Sequence, residues 1–129
     1  MAPSQTTPNP QPLMNSPKDS ETILQVGNSI FVKQNYQFVR LQQDQVLYAE
    51  ADDKYTTVVT TTRKFVLRLP LAALLQRLAD MTLVRVHRSF AVNMGRIDAF
   101  NDYEIQISGQ ALPLGRVYKD EFLRHFSFR

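Results

Sequence analysis

Three short stretches of this 129-residue chain set basic and hydroxyl side chains next to one another: Lys54-Tyr55-Thr56, His87-Arg88-Ser89, and Gly115-Arg116 with Lys119 following. The chemistry open to such residues is recognition of anions and of polar edges. An arginine fork can bond a phosphate or a guanine edge bidentately, and a Ser or Thr hydroxyl can contact phosphate or base. In the central stretch, Val84, Val86, Arg88 and Phe90 alternate with Arg85, His87, Ser89 and Ala91, which is the period of an extended strand. Arg88 falls where an apolar residue is expected. The reading is that it leaves the sheet at a strand-to-turn junction and points at an anionic partner.

Catalytic chemistry finds no footing. The histidines are His87 and His125, and the pair His87 and Ser89 lies two residues apart with no carboxylate placed locally to orient the imidazole. There is no cysteine and no His-x-x-x-His spacing, so no metal set is expected. The four glycines form no phosphate loop, and Asp52-Asp53 is a pair only in sequence, since neighbouring strand or turn residues diverge. The expectation is a non-enzyme with no cofactor.

The elements that must position these residues read as strands. Ile30 to Lys33, Tyr36 to Leu41, Val46 to Ala51, Tyr55 to Thr61 and Lys64 to Leu69 are rich in β-formers, separated by polar breaks at Gln34-Asn35, Gln42 to Gln45, Asp52 to Lys54 and Thr62-Arg63. Pro70 then suits a helix start, and Leu71, Leu74, Leu75 and Leu78 form one apolar stripe, a short helix lying on the sheet. Strands resume from Thr82 to His87, Phe90 to Asn93, Arg96 to Phe100, Tyr103 to Ile107 and Ala111 to Leu114, with a turn at Asn101-Asp102. Val117 to Phe126 reads as a terminal helix with Phe122, Leu123 and Phe126 inward. Many short strands without a βαβ rhythm predict a mostly β fold: short antiparallel sheets with one or two small helices.

Residues 1–22 hold five of the seven prolines among polar residues, a composition expected to stay disordered; residues 23–129 are read as one domain. The net charge is +3, and Lys18, Asp19 and Glu21 leave +4 for the chain after them, with ten arginines against five lysines. No apolar run approaches a membrane span and no secretory signal is visible, so a cytoplasmic protein with no membrane contact is expected. From the residues alone, three readings stand: a duplex-DNA reader, a β-rich protein- or ligand-interaction module, and a single-stranded nucleic-acid binder. The last would need stacking aromatics, for which Tyr36, Phe38 and Tyr103 are candidates, although core packing is the expected use of those rings.

Three segments carry a resemblance. Tyr48-Ala49-Glu50-Ala51-Asp52-Asp53-Lys54-Tyr55, Leu83-Val84-Arg85-Val86-His87-Arg88-Ser89-Phe90-Ala91-Val92-Asn93, and Leu112-Pro113-Leu114-Gly115-Arg116-Val117-Tyr118-Lys119 resemble, in order and spacing, the signature segments of the LytTR DNA-binding domain. The resemblance covers about residues 28–126. It implies antiparallel sheets without a helix-turn-helix, whose loops enter successive major grooves of duplex DNA at repeated half-sites, so that a transcription regulator is expected. Carried over by segment, it implies base contacts near Thr56, flanked by Lys54 and Tyr55, and at Arg88 and Arg116. Lys119, Arg85 and Arg63 would contact phosphate. His87, beside Ser89, matches a motif position that either reads DNA or holds the loop, and Asn93 is expected to hold a bend. Lys54-Tyr55 stands where the family often has Asn-Tyr. Many family members are response regulators with a receiver domain ahead of this one; here a Pro-rich tail precedes it. The implied partners are duplex DNA, a second copy on the adjacent half-site and a sensor or regulatory protein.

Overall fold

The computed structural model describes residues 23–127 except 28 and 80; the tail expected over 1–22 lies outside the described residues. Among the described residues the chain forms eleven strands and two short α-helices. A first sheet joins β1 (Ile23–Val26), β2 (Ser29–Gln34) and β3 (Gln37–Gln42) in that order. The central sheet holds β4 (Val46–Asp52), β5 (Tyr55–Thr60), β6 (Lys64–Leu67), β7 (Leu83–His87) and β8 (Phe90–Asn93), in the order β6-β5-β4-β8-β7. A third sheet, β11-β10-β9, is built from β9 (Ala99–Phe100), β10 (Glu104–Ile107) and β11 (Gln110–Pro113). All pairings between these strands are antiparallel, as the short alternating strands predict.

Both faces of the central sheet are covered. The register pairs Ala49 with Ala91 and Val58 with Phe65 on one face, and these pack with Ile30, Val32 and Leu41 of the first sheet and with Leu71 and Leu74 of α1 (Leu71–Arg77). On the other face Tyr48 pairs with Val92, and both pack with Ile105, Ile107 and Leu112 of the third sheet and Phe122 of α2 (Lys119–Leu123). This is why Val46-Leu47-Tyr48-Ala49 reads as a continuous apolar run: all four are buried. Burial pushes the Tyr48 phenol above its ordinary pKa, and the Glu50 carboxylate adds to the shift. Pro70 caps α1 from outside its first turn, with extended backbone and no side-chain bond.

Several boundaries differ from the sequence reading, among them the expected strand Arg96 to Phe100, which is a 3-10 turn over Met94–Arg96 followed by the two-residue β9. β1 is absent from that reading, because Ile23-Leu24-Gln25-Val26 is short and only Ile23 is buried. The first hairpin turns at Asn35-Tyr36, not Gln34-Asn35: Gln34 pairs with Gln37, and both turn residues sit in the left-handed region, φ 49 and 70. Asn tolerates that region well, and the turn twists with the strands it joins. The expected helix Val117 to Phe126 divides into a 3-10 turn over Arg116–Tyr118 and the short α2. The Gly115 N–H donates to the Val86 carbonyl (2.7 Å), so the chain is pinned to β7 just before it begins to coil.

Two buried polar side chains hold the elements in place. Asn93 uses its full hydrogen-bonding capacity. Its amide donates to Gln43 (3.2 Å) and Val46 (2.7 Å) carbonyls, and its oxygen accepts from the Thr82 hydroxyl (3.0 Å) and the Gly95 N–H (3.0 Å). The expected structural role of Asn93 thus has a definite form: it ties the end of β8 to the start of β4. Thr56, fully buried on β5, donates its hydroxyl to the Leu69 carbonyl (2.7 Å), the last residue before Pro70 and α1. Asn93→Ala strands buried carbonyls at once and is expected to lower stability by on the order of 2–4 kcal/mol in urea unfolding; a loss below about 0.5 kcal/mol would contradict the bonding described. Thr56→Val keeps the shape and removes the donor, at an expected cost of about 1–3 kcal/mol.

Candidate nucleic-acid interface

The register decides which turns share an end of the central sheet. β4 runs up to Asp52, turns through Asp53 and Lys54, and returns as β5 from Tyr55. β8 is antiparallel to β4 with Glu50 opposite Phe90, so the β7–β8 turn, Arg88 and Ser89, lies at the same end. The Ala51 N–H donates to the Ser89 carbonyl (2.8 Å), which fastens the second turn to the first strand. On the other flank the Gly115 N–H donates to the Val86 carbonyl (2.7 Å), setting Arg116 beside the β7–β8 turn. Three segments far apart in sequence, around Lys54, Arg88 and Arg116, therefore converge on one rim.

Lys54, Arg88 and Arg116 are exposed there, and among the described residues their side chains have no hydrogen-bonded or ionic partner. Tyr55 is 44% exposed beside Lys54. The rim is not uniformly positive, since Asp52 and Asp53 are exposed in the first turn, Asp53 with φ 58.

The β7–β8 turn is held by side chains. The His87 Nδ1 accepts from the Ser89 N–H (3.1 Å), and the ring lies 5.9 Å from that of Phe90. This contact gives His87 a loop-holding role; a neutral Nδ1 lone pair is required, which leaves Nε2 as the protonated nitrogen. Arg85 is half-buried and donates Nε to the His87 carbonyl (3.3 Å) and Nη2 to the Arg88 carbonyl.

Four further expected site residues have partners or positions of their own in the structure. Thr56 faces the core with its hydroxyl bonded, because a strand alternates and Tyr55 takes the outward position next to it. Arg63 sits in the β5–β6 turn at the opposite end of the sheet, its guanidinium 4.9 Å over the Phe65 ring, so it is not brought together with the others. Arg85 is turned onto the β7–β8 turn. Lys119 is at the rim but paired with Asp102 (3.0 Å). The aromatics expected in the core are also displaced: Tyr36, in the β2–β3 turn, is 99% and Tyr103, just before β10, 70% exposed, and Phe38 on β3 lies 5.8 Å under the Lys33 ammonium, so the three rings share no sheet face for stacking.

Two rim residues were missed. Thr56 pairs with Leu67, which puts Arg68 next to Tyr55 at the rim, exposed and without a side-chain partner among the described residues. Only the register of β5 against β6 reveals this; in sequence Arg68 looks like a polar residue on an alternating strand. Val117 is 87% exposed beside Arg116, at the start of the expected terminal helix. Among the described residues no cluster of three metal-ligating side chains occurs, and no helix is long and apolar enough to cross a membrane.

Known proteins share this fold. The family model of the LytTr DNA-binding domain matches residues 36–127. An uncharacterized response regulatory protein of Vibrio cholerae is 37% identical over 59 residues, a match that spans 43% of this chain and 23% of that relative. The solved LytTr DNA-binding domain of a methyl-accepting/DNA response regulator from Bacillus cereus superposes with a TM-score of 0.65 at 23% identity, over 80% of this chain and all of that one. The family model covers most of this chain and the solved LytTr domain shares its fold: this chain belongs to the LytTR family of DNA-binding domains.

Proposed function

We propose that residues 23–129 form the sequence-specific, duplex-DNA-reading domain of a cytoplasmic transcription regulator. The observation that carries this reading is the convergence of Lys54, Arg88 and Arg116, exposed and unpartnered among the described residues, on one rim of a rigid sheet. Rigid elements presenting free side chains on turns are the form that base readout needs, because a backbone ordered in advance leaves only the side chain's own entropy to be lost on binding.

In this reading Arg88 and Arg116 bond base edges in the major groove, where an arginine fork suits guanine. Val117 is placed for a thymine methyl beside the base met by Arg116. Asp53 is tolerable only over base edges, where a carboxylate can accept from cytosine, since phosphate would repel it. Lys54, Tyr55 and Arg68 meet the backbone on the β5 side, and Lys119 meets it beside Arg116 after exchanging Asp102 for phosphate. Ser89 lends its amide and carbonyl to the turn. A second copy would occupy an adjacent half-site, and a sensor or receiver partner would supply the signal, as the response-regulator relatives suggest.

Selection of bound fragments from random duplex DNA defines the preferred site and should yield a repeated motif; a pool with no enrichment would sink the reading. Against that site, Arg88→Ala and Arg116→Ala are each expected to lose on the order of 1–3 kcal/mol and to flatten discrimination. Mobility shifts in which both variants bind like the parent would remove the assignment. Arg68→Ala should weaken binding to all duplexes alike and reduce the slope of log affinity against log salt by about 0.9. Lys119→Ala should reduce it by less, because Asp102 already serves as its counter-ion. An Arg68 slope equal to the parent's would contradict its phosphate contact.

A further inference from the structure

We propose that Arg85 is a positioning residue for DNA recognition: it fixes the direction of Arg88 through the backbone of the β7–β8 turn and does not itself bind phosphate. The inference rests on the reading of Arg88 as a base contact.

The geometry begins with an irregularity. Arg85 pairs with Ala91 and His87 with Phe90, so Val86 is an extra residue on β7. Such a bulge increases the local twist and takes carbonyls out of the regular ladder. Val86 turns into the core, fully buried, and its own carbonyl is taken by Gly115. The next two carbonyls, His87 and Arg88, point at the Arg85 side chain, which donates Nε to one and Nη2 to the other. A guanidinium is suited to this, because its donors lie in one rigid plane and can bridge two acceptors. On the other side of the turn the Ser89 N–H is held by His87 Nδ1 and the Ser89 carbonyl by the Ala51 N–H. The peptide planes on both sides of Arg88 are therefore fixed, and with them the direction in which its Cβ leaves the chain. Arg85 is half-buried, whereas the Arg88 side chain is exposed and unpartnered among the described residues.

A positioning role and a phosphate contact leave different signatures. The experiment measures affinity for the selected duplex and for a scrambled duplex over a salt series, with Arg85→Ala, Arg85→Lys, Arg88→Ala and the double variant. Thermal unfolding confirms that each variant is folded. The expected result for Arg85→Ala is a loss on the order of tenfold on the selected duplex, with affinity for the scrambled duplex and the salt slope unchanged. Arg85→Lys keeps the charge but not the fork, and should fail to restore discrimination. The double variant should discriminate no worse than Arg88→Ala alone, since Arg85 acts through Arg88. Equal loss on both duplexes with a shallower salt slope, or full recovery by lysine, would overturn the proposal in favour of a phosphate contact. If Arg88→Ala itself leaves discrimination intact, the base-contact reading fails; if Arg88→Ala abolishes it while Arg85→Ala does not, only the positioning role fails. Should Arg85→Ala not fold, Arg85→Lys carries the same comparison.

Discussion

The rim of the central sheet depends on where the β7–β8 hairpin is fastened. Two backbone hydrogen bonds flank it, Ala51 N–H to Ser89 carbonyl at 2.8 Å and Gly115 N–H to Val86 carbonyl at 2.7 Å. The first joins it to the β4–β5 hairpin and the second to the chain leaving the third sheet. Neither bond is strong in water, about 1 kcal/mol net. Their effect is geometric: each removes the freedom of one neighbouring segment to move relative to Arg88. At Gly115 an added Cβ would lie 3.1 Å from the ring of Tyr118, so a side chain there fits only if that ring shifts.

The rest of the fold supplies the rigidity that makes this fastening useful. A sheet covered on both faces cannot flex about its strands without opening a packed core, and interiors are close-packed. Asn93 closes the far end of β8 onto β4, and Thr56 closes β5 onto the segment that enters α1. Polar groups buried in this way are satisfied in one arrangement only, so they select a register as well as stabilise it. The contrast with the rim is marked: inside, polar groups are bonded; at the rim, Lys54, Arg68, Arg88 and Arg116 have no partner among the described residues.

Much of this was legible in the sequence. Period-2 alternation gave the strands, the break at Arg88 gave the strand end, and the three signature segments gave the family, which the match over residues 36–127 bears out. What sequence could not supply was register. Thr56 and Tyr55 are neighbours, and only the pairing of Thr56 with Leu67 decides that the hydroxyl is inside and Tyr55 outside. The same pairing brings Arg68 to the rim, while the β5–β6 turn carries Arg63 to the other end. Arg85 illustrates a second limit. Its charge suggested a phosphate, but a guanidinium also satisfies carbonyls, and the bulge that frees those carbonyls has no signature in residue type.

Contact with DNA through one rim of the central sheet is open to direct observation. The most direct measurement is amide chemical-shift mapping of the labelled protein titrated with the selected duplex. The account predicts the largest changes at residues 53–55, 68, 88–89 and 115–119, with the Arg63 end of the sheet and the exposed Tyr36 turn unmoved. Changes centred on Arg63 or Tyr36, with the amides of Arg88 and Arg116 undisturbed, would contradict it.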